Sequence, residues 1–177
     1  RSDGDIAVSG GLIAGTAAMS TGNITVSGIT GSRAASFAAG AVNATTGQAT
    51  VRADAQTIGS LRSATASTLD ATGAVSLGSA TVGGNLAVTS TGGDISLGTS
   101  GAQSIVANGR VTITATAGAI GRGAGSSALT VRSNDDDLGA ADSLTLRAGN
   151  AVALGNAALN GGRTGTAAVS VRSDTAG

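Results

Sequence analysis

One five-residue pattern recurs along the chain and limits what the chain can fold into. A turn pair with Gly or a small polar residue is followed by a branched, a small and a second branched residue, as in Gly93-Asp94-Ile95-Ser96-Leu97. Residues two apart in a β-strand point to the same side, so the pattern predicts a strand with one buried face. The leading apolar residues of the copies are Ile6, Ile24, Ala49, Val75, Leu86, Ile95, Val111, Leu129, Leu144, Val152 and Val169.

The spacing of these copies predicts a parallel β-solenoid. When the short intervals are combined, the repeat closes in about 16–26 residues, which is the length of one coil built from strand, turn and strand. The sequence therefore predicts an all-β fold, a right-handed parallel β-helix with about nine coils of roughly 16–26 residues. Weaker strand candidates fill the gaps at Leu12-Ile13, Val42, Ile58 with Leu61, Thr81-Val82 and Ile105-Val106.

Two other architectures fit the sequence less well. A helical bundle needs apolar residues three and four apart, and the chain's 30 glycines would each destabilise a helix interior. An antiparallel sandwich remains an alternative, although the Gly-Asn and Gly-Asp pairs lack regular hairpin spacing. The Ala-rich stretch Arg33–Ala44 is interpreted as a protruding long coil, with Phe37 as a plug under a loop. Longer, irregular coils are expected over residues 24–75.

The inward positions and the domain organisation follow from the same repeat. We expect a single solenoid segment over residues 1–177. Because Arg1-Ser2-Asp3 repeats the late motif Arg172-Ser173-Asp174 and neither end resembles a capping repeat, the segment is interpreted as an internal window of a longer array. Residues predicted to be buried are Ile6, Ile24, Val75, Leu86, Ile95, Val111, Leu129, Leu144 and Val169.

The composition argues against most enzymes and against nucleic-acid binding. Ala, Gly, Thr and Ser make up 110 of the 177 residues, whereas His, Cys, Lys, Glu, Tyr and Trp are absent. Most nucleophile–base pairs and the usual zinc, iron–sulfur and haem ligands therefore cannot be assembled. Zero net charge without Lys is poorly suited to neutralising phosphates. The chain has no run of 18 apolar residues, so no membrane-spanning helix is predicted. Because the usual catalytic and ligating residues are absent, neither catalysis nor a cofactor is expected.

Charged residues suggest two candidate features. The cluster Asp135, Asp136 and Asp137, with Asp142 nearby, could supply oxygen ligands to Ca²⁺, or it could form a solvated turn without metal. Arg also follows several predicted strands, with Asp or Asn two residues later in three cases. An Arg–Asp ladder along one edge is one interpretation, and isolated surface charges are the other. The arginines in this position are Arg52, Arg132, Arg147 and Arg172.

The repeats resemble those of filamentous-haemagglutinin-type exoproteins, the large secreted partners of bacterial two-partner secretion. The resemblance rests on TGNITVSG (21–28), GGNLAVTSTGG (83–93), TGGDISLG (91–98) and NGRVTITATAGAI (108–120). Autotransporter passengers share this repeat style and are a close second. The resemblance implies a right-handed parallel β-helix that forms a long rod on, or released from, a Gram-negative cell surface.

The expected function is therefore structural. The chain is predicted to form a rod or stalk of a secreted or surface-exposed exoprotein that serves adhesion or cell contact, outside the cell. Its expected partners are further coils or copies stacked end to end, and a receptor on a host or bacterial cell, without nucleic acid or membrane insertion. The alternatives are a binding module whose solenoid face contacts a glycan or protein, and a β-helix enzyme acting on carbohydrate. A groove lined by Arg and Asn would favour the binding module.

Overall fold

The computed structural model describes residues 4–10, 12–28, 32–138, 141–165 and 167–175. Within these ranges the chain forms seventeen β-strands and no helix. The strands are β1 (Ile6–Ser9), β2 (Leu12–Ser20), β3 (Ile24–Ser27), β4 (Ala34–Ala44), β5 (Ala49–Ser63), β6 (Ser67–Ala71), β7 (Val75–Val82), β8 (Leu86–Ser90), β9 (Ile95–Leu97), β10 (Ser100–Ala107), β11 (Val111–Ala115), β12 (Ile120–Arg122), β13 (Gly125–Ser133), β14 (Leu144–Ala148), β15 (Val152–Ala153), β16 (Ala158–Gly161) and β17 (Val169–Ser173). All predicted branched–small–branched copies and all weaker candidates fall on strands, except that Leu154 of the copy at Val152 lies just past the end of β15.

The strands pair in parallel and form two faces of a solenoid, which confirms the predicted β-helix. Sheet 1 contains β1, β3, the start of β5, β6, β8, β11, β14 and β17 in that order. Sheet 2 contains β2, β4, the rest of β5, and β7, followed by two rows of shorter strands. One row is β9, β12 and β15, and the other is β10, β13 and β16.

The paired first residues of sheet 1 measure the coils. They are Ile6, Ile24, Ala49, Ser67, Leu86, Val111, Leu144 and Val169. The successive coils are therefore 18, 25, 18, 19, 25, 33 and 25 residues long. Eight strands stack in sheet 1 within the described ranges, one fewer than the nine coils expected, and the coil of 33 residues exceeds the expected range. Its extra length is a ten-residue connection, 134–143, between β13 and β14.

A single narrow column of aliphatic side chains fills the solenoid. Seven of the nine residues predicted to be buried are buried, each with at most 2% of its surface exposed: Ile24, Val75, Leu86, Ile95, Val111, Leu129 and Leu144. The other two predictions are wrong, because Ile6 is half-buried and Val169 is 43% exposed. Both lie on the outermost strands of sheet 1, which each have a paired strand on one side only among the described residues.

The Ala-rich stretch is a strand of the sheet and not a protruding coil. Residues Ala34–Ala44 form β4, which pairs in register with β2 on one side and β5 on the other. Its inward positions carry small or apolar residues that fit the narrow core. Phe37 is one of these and is 3% exposed, so it fills the core from a strand rather than lying under a loop.

A column of glycines forms one bend of the solenoid. Gly40, Gly59, Gly78, Gly98 and Gly123 occupy equivalent positions in five successive coils, by extension of the strand registers. A Cβ atom on Gly59 would lie 2.5 Å from the carbonyl oxygen of Gly40, and one on Gly78 would meet that of Gly59 even more closely. At Gly59 and Gly78 the preceding coil therefore lies too close for any side chain, and only glycine fits at the spacing of the sheet.

The Gly-Asn and Gly-Asp pairs before the strands hold adjacent coils together. Asn85 Oδ1 accepts a hydrogen bond from the backbone N–H of Arg110 in the next coil at 2.8 Å. Asn23 Oδ1 does the same for Gln48 at 3.0 Å, and Asp94 Oδ1 for Ala119 at 2.7 Å. The side chain thus satisfies a turn N–H that the sheet ladder leaves unpaired. This requirement explains why a short carboxamide or carboxylate follows glycine in these turns.

Candidate functional site

The acidic segment forms a structured turn that connects two coils. Asn134 begins it in a left-handed conformation (φ 49°) and is fully buried, and Asp137 also has a positive φ of 57°. Asp137 Oδ1 accepts hydrogen bonds from the backbone N–H groups of Arg163 and Thr164 at 2.8 and 3.3 Å. Asp136 Oδ1 instead accepts the N–H of Leu138 at 3.1 Å. Asp137 therefore supports the next coil in the same way as the shorter Asn and Asp turns.

Asp135 is the centre of an ionic cluster at this turn. Its carboxylate pairs with Arg132 Nη1 at 2.8 Å and with Arg163 Nη2 at 3.1 Å. The hydrogen bond from Arg163, together with that from Arg132 and the charges of both guanidinium groups, holds the pKa of Asp135 below its usual value, although partial burial opposes the shift. The cluster joins β13 to the turn that follows β16.

The predicted calcium ligands do not converge. Asp135, Asp136 and Asp137 direct their carboxylates to different partners, and Asp142 lies beside a separate hollow with Asp136. Across the described residues, no three carboxylates are placed together to hold a metal ion. The geometry of this segment is that of the turn that was the alternative interpretation.

The arginines after the strands form separate clusters rather than one ladder. The register in sheet 1 places Arg52, Asp70, Thr89, Thr114, Arg147 and Arg172 in one outward column. Asp70 pairs with Arg33 at 2.7 Å and with Arg52 at 3.6 Å. Asp174 pairs with Arg147 and Arg172 at 2.7 and 2.8 Å. Two threonines separate these clusters, and Arg132 lies in sheet 2, so the ladder interpretation is wrong. The motif at Arg1–Asp3 lies outside the described residues.

Arginines also lower the pKa of one carboxylate in the last coil. Asp174 has its pKa held below the usual value first by the hydrogen bond from Arg147 and then by the nearby Arg172. Ionic contacts therefore occur in both of the last two coils.

A groove runs along the rod where sheet 2 turns toward sheet 1. Equivalent turn positions in four successive coils carry Thr45, Ala64, Gly83 and Asn108. The two small residues form a floor between the larger Thr45 and Asn108, and Arg62 and Thr81 flank it on the preceding outward column. The groove encloses about 240 Å³. The groove brings together an arginine, threonine hydroxyl groups and an asparagine amide.

A second hollow shares one wall with this groove. It is lined by Gly83 and Asn108 from the groove, and by Asp136, Asp142 and the exposed Leu138 on its other side. The two hollows thus have opposite charge, with Arg62 at one end and two carboxylates at the other. Sequence reasoning did not identify the groove. Its only sequence signal is the small residues in the turns Ser63–Ser67 and Val82–Leu86.

Comparisons with known proteins add no identification. No protein-family model, curated protein or solved structure matches the chain. In the part of the chain that the structure describes, no helix has the length and apolarity needed to cross a membrane.

Proposed function

We propose that this chain is a section of a rod or stalk in a large bacterial exoprotein, secreted or exposed at the cell surface, in which the whole molecule serves adhesion or cell contact. The observation that carries the proposal is the unbroken stack of eight in-register strands in sheet 1. Each coil pairs with its neighbours along one axis, so adding coils lengthens the particle without changing its cross-section.

The outer surface of the stack supports a structural role. One outward column of sheet 1 carries only small side chains, namely Ala7, Thr25, Thr50, Thr68, Ala87, Thr112, Thr145 and Ser170. Such a surface has no large anchors of the kind that dominate binding energy in protein interfaces. This favours a spacer over a receptor-binding face along this column.

The rod proposal also names its first partner, which is another coil. Val169 and Val171 are 43% and 48% exposed on β17, whereas the matching residues of β11 are fully buried. A further coil of the same rod, or β1 of a second copy, would cover them and pair with the free edge. Light scattering across a concentration series should reveal end-to-end association of the isolated chain. A strictly monomeric particle at high concentration would contradict this partner.

An in-register deletion tests the rod. Residues 67–110 span two whole coils, so removing them joins Ala66 to Val111 at equivalent positions. The shortened chain should fold and lose about 10 Å of length in small-angle scattering. In the full-length protein the same deletion should shorten the rod and preserve export. An exported deletion variant of unchanged length would overturn the proposal.

An out-of-register deletion is the matched control. Removing residues 69–111 takes out one residue fewer and joins Thr68 to Thr112. The alternation then shifts by one position and turns Ile113 toward solvent, which should abolish folding. If both deletions fold equally well, the parallel register does not define the particle.

A further inference from the structure

We propose that the groove beside Arg62 binds a small saccharide that carries a single oxyanion, either a carboxylate or a sulfate. This binding activity goes beyond the rod and does not depend on it. It identifies a binding face at the corner of the solenoid, away from the plain outward column of sheet 1.

An arginine side chain is available at the rim of the groove. Arg62 is exposed on β5, and its side chain makes no ion pair or hydrogen bond within the part of the chain that the structure describes, whereas Arg33, Arg132, Arg147 and Arg163 all engage carboxylates. Its guanidinium is therefore ready to form charge-assisted hydrogen bonds to an oxyanion. Thr81, paired with Arg62 in register on the next coil, adds a hydroxyl to the same rim.

The shape of the groove leaves room for a small ligand. Ala64 and Gly83 remove side-chain volume from two successive coils between Thr45 and Asn108, which are three coil spacings, roughly 14 Å, apart. Gly83 cannot carry a side chain, because a Cβ atom there would overlap the carbonyl oxygen of Ala64. The close stacking of coils thus keeps the notch open. Its volume of about 240 Å³ lies just below the range of typical small-molecule sites, roughly 300–1,000 Å³, and so suits one or two sugar rings.

The two ends of the groove are lined by polar side chains. The amide of Asn108 can both donate and accept hydrogen bonds, and the Thr45 hydroxyl, which donates to the carbonyl oxygen of Ser20 at 2.7 Å, can still accept one. Alternating donors and acceptors around a short floor match the hydroxyl groups of a sugar. Aromatic stacking does not contribute, because Phe37 is the chain's one aromatic residue and is buried elsewhere. We therefore expect a dissociation constant near millimolar.

The neighbouring hollow sets the charge of the ligand. Asp136 and Asp142 lie beyond the shared wall of Gly83 and Asn108. A polyanion that extends along the groove would meet these carboxylates and be repelled, whereas one oxyanion at Arg62 would not. The groove therefore selects a singly charged saccharide and disfavours heavily sulfated chains.

The experiment is a titration of the isotope-labelled chain followed by amide chemical shifts. Glucuronic acid and glucose 6-sulfate distinguish the two sources of the oxyanion. Glucose, inorganic sulfate and heparin oligosaccharide are the comparison ligands. At least one of the two acidic sugars should saturate shifts at Thr45, Ala64, Thr81 and Asn108, with affinity about tenfold or more above that of glucose.

Three variants locate the site. Arg62→Gln should weaken binding of the acidic sugar about tenfold or more, and Ala64→Leu should block the floor and abolish the saturable shifts. Arg122→Gln removes another arginine without a carboxylate partner in the described structure and should leave binding unchanged. Circular dichroism confirms that each variant keeps its strands.

Several results would overturn the proposal. Equal binding of glucose would exclude the oxyanion, and equal binding of inorganic sulfate would exclude the sugar. Stronger binding of heparin would exclude a singly charged ligand. An unchanged affinity in Arg62→Gln, or an equal loss in Arg122→Gln, would exclude this groove as the site. The deletion test of the rod is scored by particle length and export, because residues 67–110 include Thr81, Gly83 and Asn108 of this groove and their removal would also abolish saccharide binding.

Discussion

Val111 and Val169 are the same residue at the same register position of sheet 1, yet their surroundings differ completely. Val111 lies on β11, between β8 and β14, and is fully buried. Val169 lies on β17, which among the described residues pairs with β14 alone, and is 43% exposed. The two coils carry the same branched–small–branched pattern. The difference shows that burial in this fold is supplied by the adjacent coils, and each coil is stabilised by its neighbours more than by its own composition.

The central coils and the last coils also differ in the contacts that stabilise their outer surfaces. The central coils, from Ala49 to Ile120, combine the aliphatic column with glycine bends and Asn or Asp turns. The last coils carry the Asp135 and Asp174 clusters, which involve Arg132, Arg163 and Arg147. One ionic cluster, centred on Asp70, lies in the central coils and two lie in the last coils, so charge contributes more toward the later end.

The largest expected effect comes from closing a central bend. Gly78→Ala places a methyl group against the carbonyl oxygen of Gly59, so the coils must separate locally. We expect the free energy of unfolding to fall by about 3 kcal/mol, measured by denaturant titration. Gly15→Ala, near the first coil, has no atom within 4 Å of the added Cβ and is the control. Equal losses in both variants would show that the bend does not require close approach.

The next effect tests the valine comparison directly. Val111→Ala should cost about 2 kcal/mol, because it removes buried methyl groups and leaves a cavity. Val169→Ala makes the same chemical change in the same column and should cost less than about 1 kcal/mol. Denaturation of both variants gives the comparison. This difference is expected at concentrations where the chain is monomeric. Where chains associate end to end, the two losses should become equal, because Val169 is then covered.

A smaller effect is expected at the turns. Asn85→Ala removes the acceptor for the Arg110 N–H and should lower the free energy of unfolding by about 0.5–1 kcal/mol. Asn156→Ala, at an exposed position in the last coils, should change it by less than about 0.5 kcal/mol. Hydrogen exchange of the Arg110 amide should accelerate in the first variant only. Unchanged exchange there would argue against the turn-capping role of Asn85.

The smallest effect is a dependence on pH in the last coils. Arginines lower the pKa of Asp135 and Asp174 in the folded chain, so both carboxylates stabilise the fold above about pH 4. This stabilisation is lost as the pH falls through the folded pKa values. Asp135→Asn should destabilise the chain slightly at pH 7, and its difference from wild type should shrink as the pH falls below about 4. A constant difference across that range would assign the effect to packing.

The sequence pattern predicts the strands well because period-two alternation reports burial directly. It does not report which sheet a strand joins, since both sheets supply side chains to the same core. Val75 and Ile95, for example, match the pattern of Leu86 but lie in sheet 2. The pattern does not predict β6, because Ser67 occupies the inward position where six of the other seven strands of sheet 1 have a branched residue. The interval of 26 residues from Ala49 to Val75 thus connects strands of different sheets.

The candidate sites were less predictable, because they depend on register between coils. Asp135 to Asp137 are adjacent in sequence, yet their carboxylates serve separate partners once the turn is folded. Arg62 and Ala64 are far in sequence from Gly83 and from Asn108, and the three segments meet only because short coils align them. Neither the dispersal of the first group nor the convergence of the second follows from spacing along the chain.

The unequal coil lengths give the solenoid a mechanical readout. Tension applied between the two ends would peel coils from an edge, and each coil would release the length of chain it contains. A coil of 18 residues yields about 60 Å of extended chain, and the coil of 33 residues yields about 110 Å. A force–extension trace would therefore record the order in which the coils detach, because the longest step belongs to the coil that contains the acidic turn.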